Sequence, residues 1–269
     1  MYQVCQRYPH LGLNDSTLSP DAQTLRNPPI GTFLRSDPSL QRNVEEIYPL
    51  CSGSLEGASP AQKREELRRR WKACSRLRSA LLFAVEPLAQ TLVEAGIYLG
   101  ERGDYEAALA VMSFIALRVD PYRSPMPFTA QRTKGWLMLV KLMSHTAAAS
   151  YFSSVGAAAG GGAGATTART GTKAKISEVL ARTDQVAACR LALTLIAAWT
   201  PTAHASEPRL TGEAAELAHQ IAALPGRPQE DIPLNITPED ERRFMDTLLG
   251  PVRELSELAL DVLTEEFGT

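Results

Sequence analysis

Apolar residues recur along most of this chain at helical intervals. After the capping signature Ser59-Pro60-Ala61-Gln62, the residues Leu67, Trp71, Cys74, Leu77 and Leu81 follow at steps of 4, 3, 3 and 4. That spacing lays them along one face of a helix. Upstream, Asp37-Pro38 caps a shorter amphipathic piece carrying Leu40, Val44 and Ile47, which the pattern ends before Pro49. Between 84 and 119 two faces alternate around a turn. Val85, Leu88, Leu92, Gly96 and Leu99 mark the first, Arg102-Gly103-Asp104 breaks it, and Tyr105, Ala108, Met112, Ala116 and Val119 mark the second. Two amphipathic helices joined by so short a turn pack antiparallel, with small Gly96 and Ala108 at the closest approach.

After the loop Asp120–Pro127, a further helix shows Trp136, Leu139, Val140 and Met143 on one side. Residues 153–173 are a Gly, Ala, Ser and Thr tract whose one larger apolar residue is Val155. Such a tract cannot offset its own ordering entropy, so it reads as a flexible linker. Beyond it lie Ile176–Ala181, a helix over 183–199 and a shorter one over 212–224. A last helix opens at Thr237-Pro238-Glu239-Asp240 and runs through Phe244, Leu248, Val252, Leu255, Ala259 and Val262, kinked or split at Gly250-Pro251. No segment alternates apolar and polar residues as a strand does. The chain is therefore predicted to be all-α. Its parts are an extended lead-in over 1–36, a helical domain over 37–152, the linker over 153–173, and C-terminal helices over 174–269 packing on the same domain.

Composition narrows the class without supplying chemistry. The chain has 269 residues, 44% hydrophobic, and 28 Lys and Arg against 30 Asp and Glu for a net charge of −2. It can bury a core, and it is not built wholly around nucleic acid. No apolar run approaches 18 residues and the first twenty residues lack a signal-peptide core, so no membrane partner and an intracellular site, cytoplasmic or nuclear, are expected. Cys5, Cys51, Cys74 and Cys189 stand at least 23 residues apart, which excludes a CxxC knuckle and argues against a disulfide framework. His10, His145, His204 and His219 show no metal-ligand spacing. Gly160, Gly162 and Ala165 match G-x-G-x-x-A formally, but no strand precedes them and no helix start follows, so they read as linker. No catalytic constellation emerges, and neither a metal nor a cofactor is expected in this chain.

One stretch departs from neutrality. Between Ala61 and Ala80 eight cations face two acids, a local charge of +6 against −8 for the remainder. Arg64, Arg68, Arg69, Lys72 and Arg76 form a candidate basic face for phosphates or an acidic partner. The plainer alternative is a solvated face whose apolar side, Trp71, Cys74 and Leu77, turns to the core, and nucleic acid is not the favoured partner.

The positions Leu92, Gly96, Leu99, Gly103, Tyr105 and Ala108 follow the tetratricopeptide pattern, although Ala116 and Pro121 arrive one residue late and no second 34-residue copy follows. The run Tyr98 to Tyr105, then Ala116, Asp120 to Arg123, Pro125, Pro127-Phe128, Arg132, Lys134-Gly135 and Lys141-Leu142, resembles the C-terminal helical region of fungal-type SET-domain proteins, relatives of the MYND/SET lysine methyltransferases. Asp184-Gln185, Cys189, Trp199-Thr200-Pro201 and Ala203-His204 are similar to a later part of it. Thr129 departs where the family has His, and the Gly/Ala tract interrupts the likeness. The resemblance implies a tetratricopeptide-like domain beside an S-adenosylmethionine-dependent catalytic domain whose Asn-His-x-Cys motif this chain lacks.

The expectation is thus a non-catalytic helical module that binds a protein partner. Its working surface would be the groove between 84–119 and 131–146, with Tyr122, Arg123, Phe128, Arg132 and Lys134 as candidate contacts. Tyr122 and Phe128 could instead pin the loop to the helices. The alternatives are a fragment or subunit of a SET-type methyltransferase whose catalytic domain lies outside this chain, and binding of nucleic acid or an acidic partner through 61–80.

Overall fold

A computed structural model describes residues 38–123, 130–159, 171–203, 208–223 and 245–268, and among them every regular element is helical. The lead-in, Cys5, His10, Phe128, Gly160 to Ala165, His204 and the Thr237 cap lie outside the described residues.

The first helices follow the sequence closely and then depart from it. Helix α1 spans Pro38–Cys51 and buries Ile47 and Cys51. It continues past Pro49, where the pattern had ended it, because a proline in the last turn leaves only that turn's bonding disturbed. Helix α2 spans Pro60–Ala73. Its capping box forms as expected: the Gln62 amide donates to Ser59 Oγ at 3.4 Å and the Ser59 amide to Gln62 Oε1 at 2.9 Å. The expected single face breaks at Cys74, the junction with the short helix α3, Ser75–Ser79. Leu81 is 41% exposed at φ 57°, and Leu82 takes the core position in its place. The chain reverses here, with the Leu82 amide bonded to the Leu77 carbonyl.

Helices α4, Glu86–Glu101, and α5, Tyr105–Phe114, form the expected antiparallel pair. Gly103 makes the turn at φ 80°, a conformation open to glycine at little cost. At Gly96 a Cβ would come within 2.7 Å of Met112 Sδ, which is how closely the two helices approach. Helix α5 runs on through a π-helical turn, Ile115–Val119, into α6, Asp120–Arg123. The expected Asp120–Pro127 loop therefore starts as helix, and residues 124–129 lie outside the described residues.

Helix α7 spans Ala130–Ala159, so the expected linker gives up its first seven residues to helix. Alanine is the strongest helix former, and three alanines, Ala157 to Ala159, stand in this stretch. Helix α8, Thr172–Arg182, takes the last two residues of the same tract. Helices α9, Gln185–Ala203, and α10, Pro208–Ala222, follow. A second π-helical turn, Met245–Leu249, leads into α11, Gly250–Phe267, with Pro251 in its first turn, so the expected kink or split at Gly250-Pro251 is a change from π- to α-helix.

The architecture is organised around α5, which is buried from Ala107 through Phe114. It is packed by α4, α7, α8 and, most extensively, α11. Helix α9 lies against α7 and α10, while α1 and α2 lie against α4. Polar ties close the end of the hairpin. Glu266 Oε1 accepts from Arg102 Nη1 at 2.7 Å and from Arg64 Nε at 2.8 Å. Lys173 Nζ reaches Asp104 Oδ2 at 2.5 Å. The two charges of each pair come from segments far apart in sequence, so the turn and α11 are held in one register.

A central helix buried on all sides makes a sharp stability prediction. Truncating Leu109, fully buried in α5, to alanine is expected to cost about 3 kcal/mol. Ile97→Ala, at a position 41% exposed, should change stability by about 0.5 kcal/mol or less. Urea unfolding followed by circular dichroism checks both.

Candidate functional site

The expected groove between the hairpin and α7 is filled. Tyr105 stacks on His145 of α7 with ring centroids 4.7 Å apart, and the faces of α5 that would line a groove are core. Two open clefts are seen among the described residues, one of about 540 Å³ between α7 and α10, lined by Lys141, His145, Glu213 and Glu216, and one between α1 and α4. Tyr48, Cys51 and Ser52–Ser54 from the end of α1, with Glu86, Pro87, Gln90 and Glu94 from α4, line a cleft of about 340 Å³. Tyr48 is 52% exposed at its rim.

The cleft is built on one buried guanidinium. Arg70 is 1% exposed, and its Nη2 donates to the Gly53 carbonyl at 2.6 Å. Its Nη1 donates to Glu94 Oε2 at 2.6 Å and its Nε to Glu66 Oε1 at 2.8 Å. This one side chain fixes the 52–54 segment, α2 and α4 together, and every donor group is charge-assisted. Hydrogen bonds from Arg69, then from Arg70, hold the Glu66 carboxyl below its ordinary pKa.

The sequence-predicted contacts meet this cleft at one point. Arg123 Nε and Nη2 donate to Glu86 Oε1 and Oε2 at 2.9 and 3.1 Å, so the expected anchor clamps a carboxylate of the cleft wall. Tyr122 is half-buried and packs against the core, in keeping with a pinning role. Arg132 is 3% exposed and thus no surface contact, while Lys134 is exposed. Phe128 lies outside the described residues. Behind Arg123 sits Asp120, 2% exposed, whose Oδ1 has no hydrogen-bond partner. Burial pushes its pKa up to about 6 against the pull of Arg132 and Arg123. Helix α7 comes close enough that a Cβ on Gly135 would sit 2.9 Å from Asp120 Oδ2.

The basic stretch is largely paired. Lys63 bonds Glu101 at 2.5 Å, Arg64 bonds Glu266, Arg69 bonds Glu66 at 2.6 Å, and Arg70 is buried as described. Arg68 reaches Glu65 at 4.0 Å, while Lys72 and Arg76 are exposed. Arg78 lies over the Trp71 ring at 4.0 Å. The acids that neutralise this face come mostly from α4 and α11, which local charge counting cannot reveal.

Among the described residues no group of three or more His, Cys, Asp and Glu side chains is placed to hold a metal, and no helix is long and apolar enough to cross a membrane. Sequence reasoning missed Tyr48, Glu86, Gln90 and Glu94. Spacing gave no signal for Tyr48: it continues the Leu40, Val44, Ile47 stripe of α1 at i+8 and i+4, yet it is 52% exposed. No protein-family model, curated protein or solved structure matches the chain.

Asp120 generates a pH prediction. Its folded-state pKa is raised above the unfolded value, so the stability linked to its neutral form is present below about 4. That stability is lost as pH rises through about 6. Asp120→Asn should therefore melt higher than the natural protein at pH 7.5 and close to it at pH 4. Thermal unfolding across that range measures the difference.

Proposed function

We propose that this chain is a helical protein-binding module that takes a basic segment of its partner into the α1–α4 cleft. The carrying observation is the cleft itself: an exposed aromatic, Tyr48, beside the carboxylates Glu86 and Glu94 and the amide of Gln90. Carboxylates pair with lysine or arginine, and a tyrosine ring attracts the same cations over its face. Exposed aromatics at such a rim are typical energetic anchors. Arg123 and Arg70 compete for the two carboxylates, so a ligand cation would be read against internal ones. This balance favours a segment with more than one positive charge.

The likeness to the helical region beside SET catalytic domains belongs to the same proposal. What supports it is the π-helical turn at Ile115–Val119. A π turn takes up one more residue than an α turn. The tetratricopeptide-like spacing through Ala108 is followed by Ala116 and Pro121 one residue late, and the turn lies in that interval. On this reading the chain is a tetratricopeptide-like accessory domain that presents or receives a partner and carries no chemistry of its own. An in-frame SET domain in coding sequence upstream of Met1 would extend the reading to part of a methyltransferase. With most of the basic stretch paired internally, nucleic acid is not proposed as the partner.

The test is fluorescence anisotropy of the full chain with a labelled Lys- and Arg-rich peptide, against acidic and neutral peptides of equal length. The basic peptide should bind, and Tyr48→Ala or Glu86→Gln should each weaken it by about tenfold. Absence of binding, or binding that neither substitution alters, overturns the reading.

A further inference from the structure

The end of the basic stretch keeps cations that the fold leaves without an acid. Glu65 and Glu66 are engaged by Arg68, Arg69 and Arg70, while Lys63 and Arg64 reach Glu101 and Glu266. Lys72, Arg76 and Arg78 make no ion pair among the described residues. Arg78 lies instead on the ring of Trp71, its guanidinium carbon 4.0 Å from the ring centroid. Trp71 is 2% exposed and its Nε1–H has no hydrogen-bond partner. The Arg78 Nε–H is buried without a partner too. Burial lowers the pKa of this half-buried guanidinium, and no carboxylate opposes the shift. Two touching side chains thus each hold an N–H that nothing in the protein receives.

Native structures keep few buried N–H groups without an acceptor, because each is destabilising until an acceptor arrives. The surroundings say which kind of acceptor fits. Helical bonding runs through the α2–α3 junction, from the Cys74 amide to the Arg70 carbonyl at 2.9 Å and from the Arg78 amide to the Cys74 carbonyl at 3.0 Å. At about 100° per residue, Trp71 and Arg78 share a stripe. Ser75 comes next to it, then Ser79 and Lys72, with Arg76 beyond. Lys72, Ser75, Arg76 and Ser79 are all exposed. The stripe from Trp71 to Arg76 therefore presents hydroxyls, N–H donors and cations, and no carboxylate.

We propose that the α2–α3 junction is a binding site for a phosphate-type oxyanion, held by Arg78 and the Trp71 indole N–H and flanked by Lys72, Ser75 and Arg76. The Arg78 guanidinium offers its fork to two oxygens of the anion. As it moves from the ring to meet them, it uncovers the indole N–H for a third oxygen. Indole is a donor and never an acceptor, so the position selects an anion or a carbonyl over a cation. Lys72 and Arg76 draw the anion in and offset its second charge, and because they are exposed their part weakens with salt. A tetrahedral phosphate can meet donors from three or four side chains, where a flat carboxylate has two oxygens. The site has the opposite charge preference to the α1–α4 cleft and shares no lining residue with it.

The experiment follows the indole N–H signals of the full, ¹⁵N-labelled chain by NMR, with Trp71 assigned from triple-resonance spectra. Inorganic phosphate and phenyl phosphate are titrated in turn, against sodium chloride at matched ionic strength. The Trp71 indole signal should shift saturably with phosphate, while that of Trp136, buried in α7, stays in place. Arg78→Gln should weaken the binding by about tenfold or more, and Lys72→Gln should weaken it less and reduce its salt dependence. Equal affinities assign the site to the free anion, and tighter binding of the ester assigns it to a phosphomonoester; both uphold the proposal. It is overturned if chloride moves the Trp71 signal as phosphate does, if phosphate leaves that signal unmoved, or if a folded Arg78→Gln chain binds as before. The first two outcomes are read on the unsubstituted chain, so they decide the matter even where a variant fails to fold. Because the probe is an anion and the readout an indole proton, the outcome is separate from that of the basic-peptide test above.

Discussion

A helix that is apolar on every face can exist in water only if other elements enclose it, and α5 imposes that condition on the whole molecule. From Ala107 to Phe114 every residue is buried. Its small residues, Ala107, Ala108, Ala110 and Ser113, let neighbouring backbones approach, while Leu109, Val111 and Phe114 fill the gaps between them. Each large side chain contributes roughly 1.5–3 kcal/mol of burial, against an ordering cost of similar scale spread over the same residues. Enclosure by α4, α7, α8 and α11 together is what makes the balance favourable, since no one of them covers more than a side. The C-terminal helix is accordingly core structure and not an appendage.

The parts of this fold legible in the sequence are those governed by neighbours a few residues away. The Ser59 capping box, the turn at Gly103 and the faces of α4 and α5 all follow from local spacing. The misreadings share a cause. Leu81 fits the periodicity of α2, yet the chain has already turned at Cys74 and Leu82 supplies the core contact. Pro49 and Asp120-Pro121 look like stops, but tertiary packing carries helix through both. At the candidate site, Arg123 of the expected contacts reaches a carboxylate of the cleft wall, while Arg132, also expected as a contact, is buried. Burial depends on which helix lies opposite, and a single sequence does not carry that information.

Charge shows the same separation of local and spatial order. The +6 stretch would be an electropositive surface if its cations faced only one another. In the folded chain Glu94, Glu101 and Glu266 approach from α4 and α11 and meet Arg70, Lys63 and Arg64. Exposed pairs of this kind add little stability individually. Their effect is to offset part of that charge and to fix how distant helices meet. The uneven charge distribution along the chain is thus a record of which segments touch.

The Arg70 clamp has a consequence for how the molecule comes apart. Guanidinium does not lose its proton at any ordinary pH, so acid or base cannot release the clamp from its own side. Opening the cleft's 52–54 wall takes the Gly53 carbonyl from Arg70, and separating α2 from α4 takes Glu94, so each leaves a buried charge short of partners. Neither of these motions can proceed alone at low cost. The three elements around that side chain therefore form one cooperative opening unit, and the cleft is lost or kept as a whole.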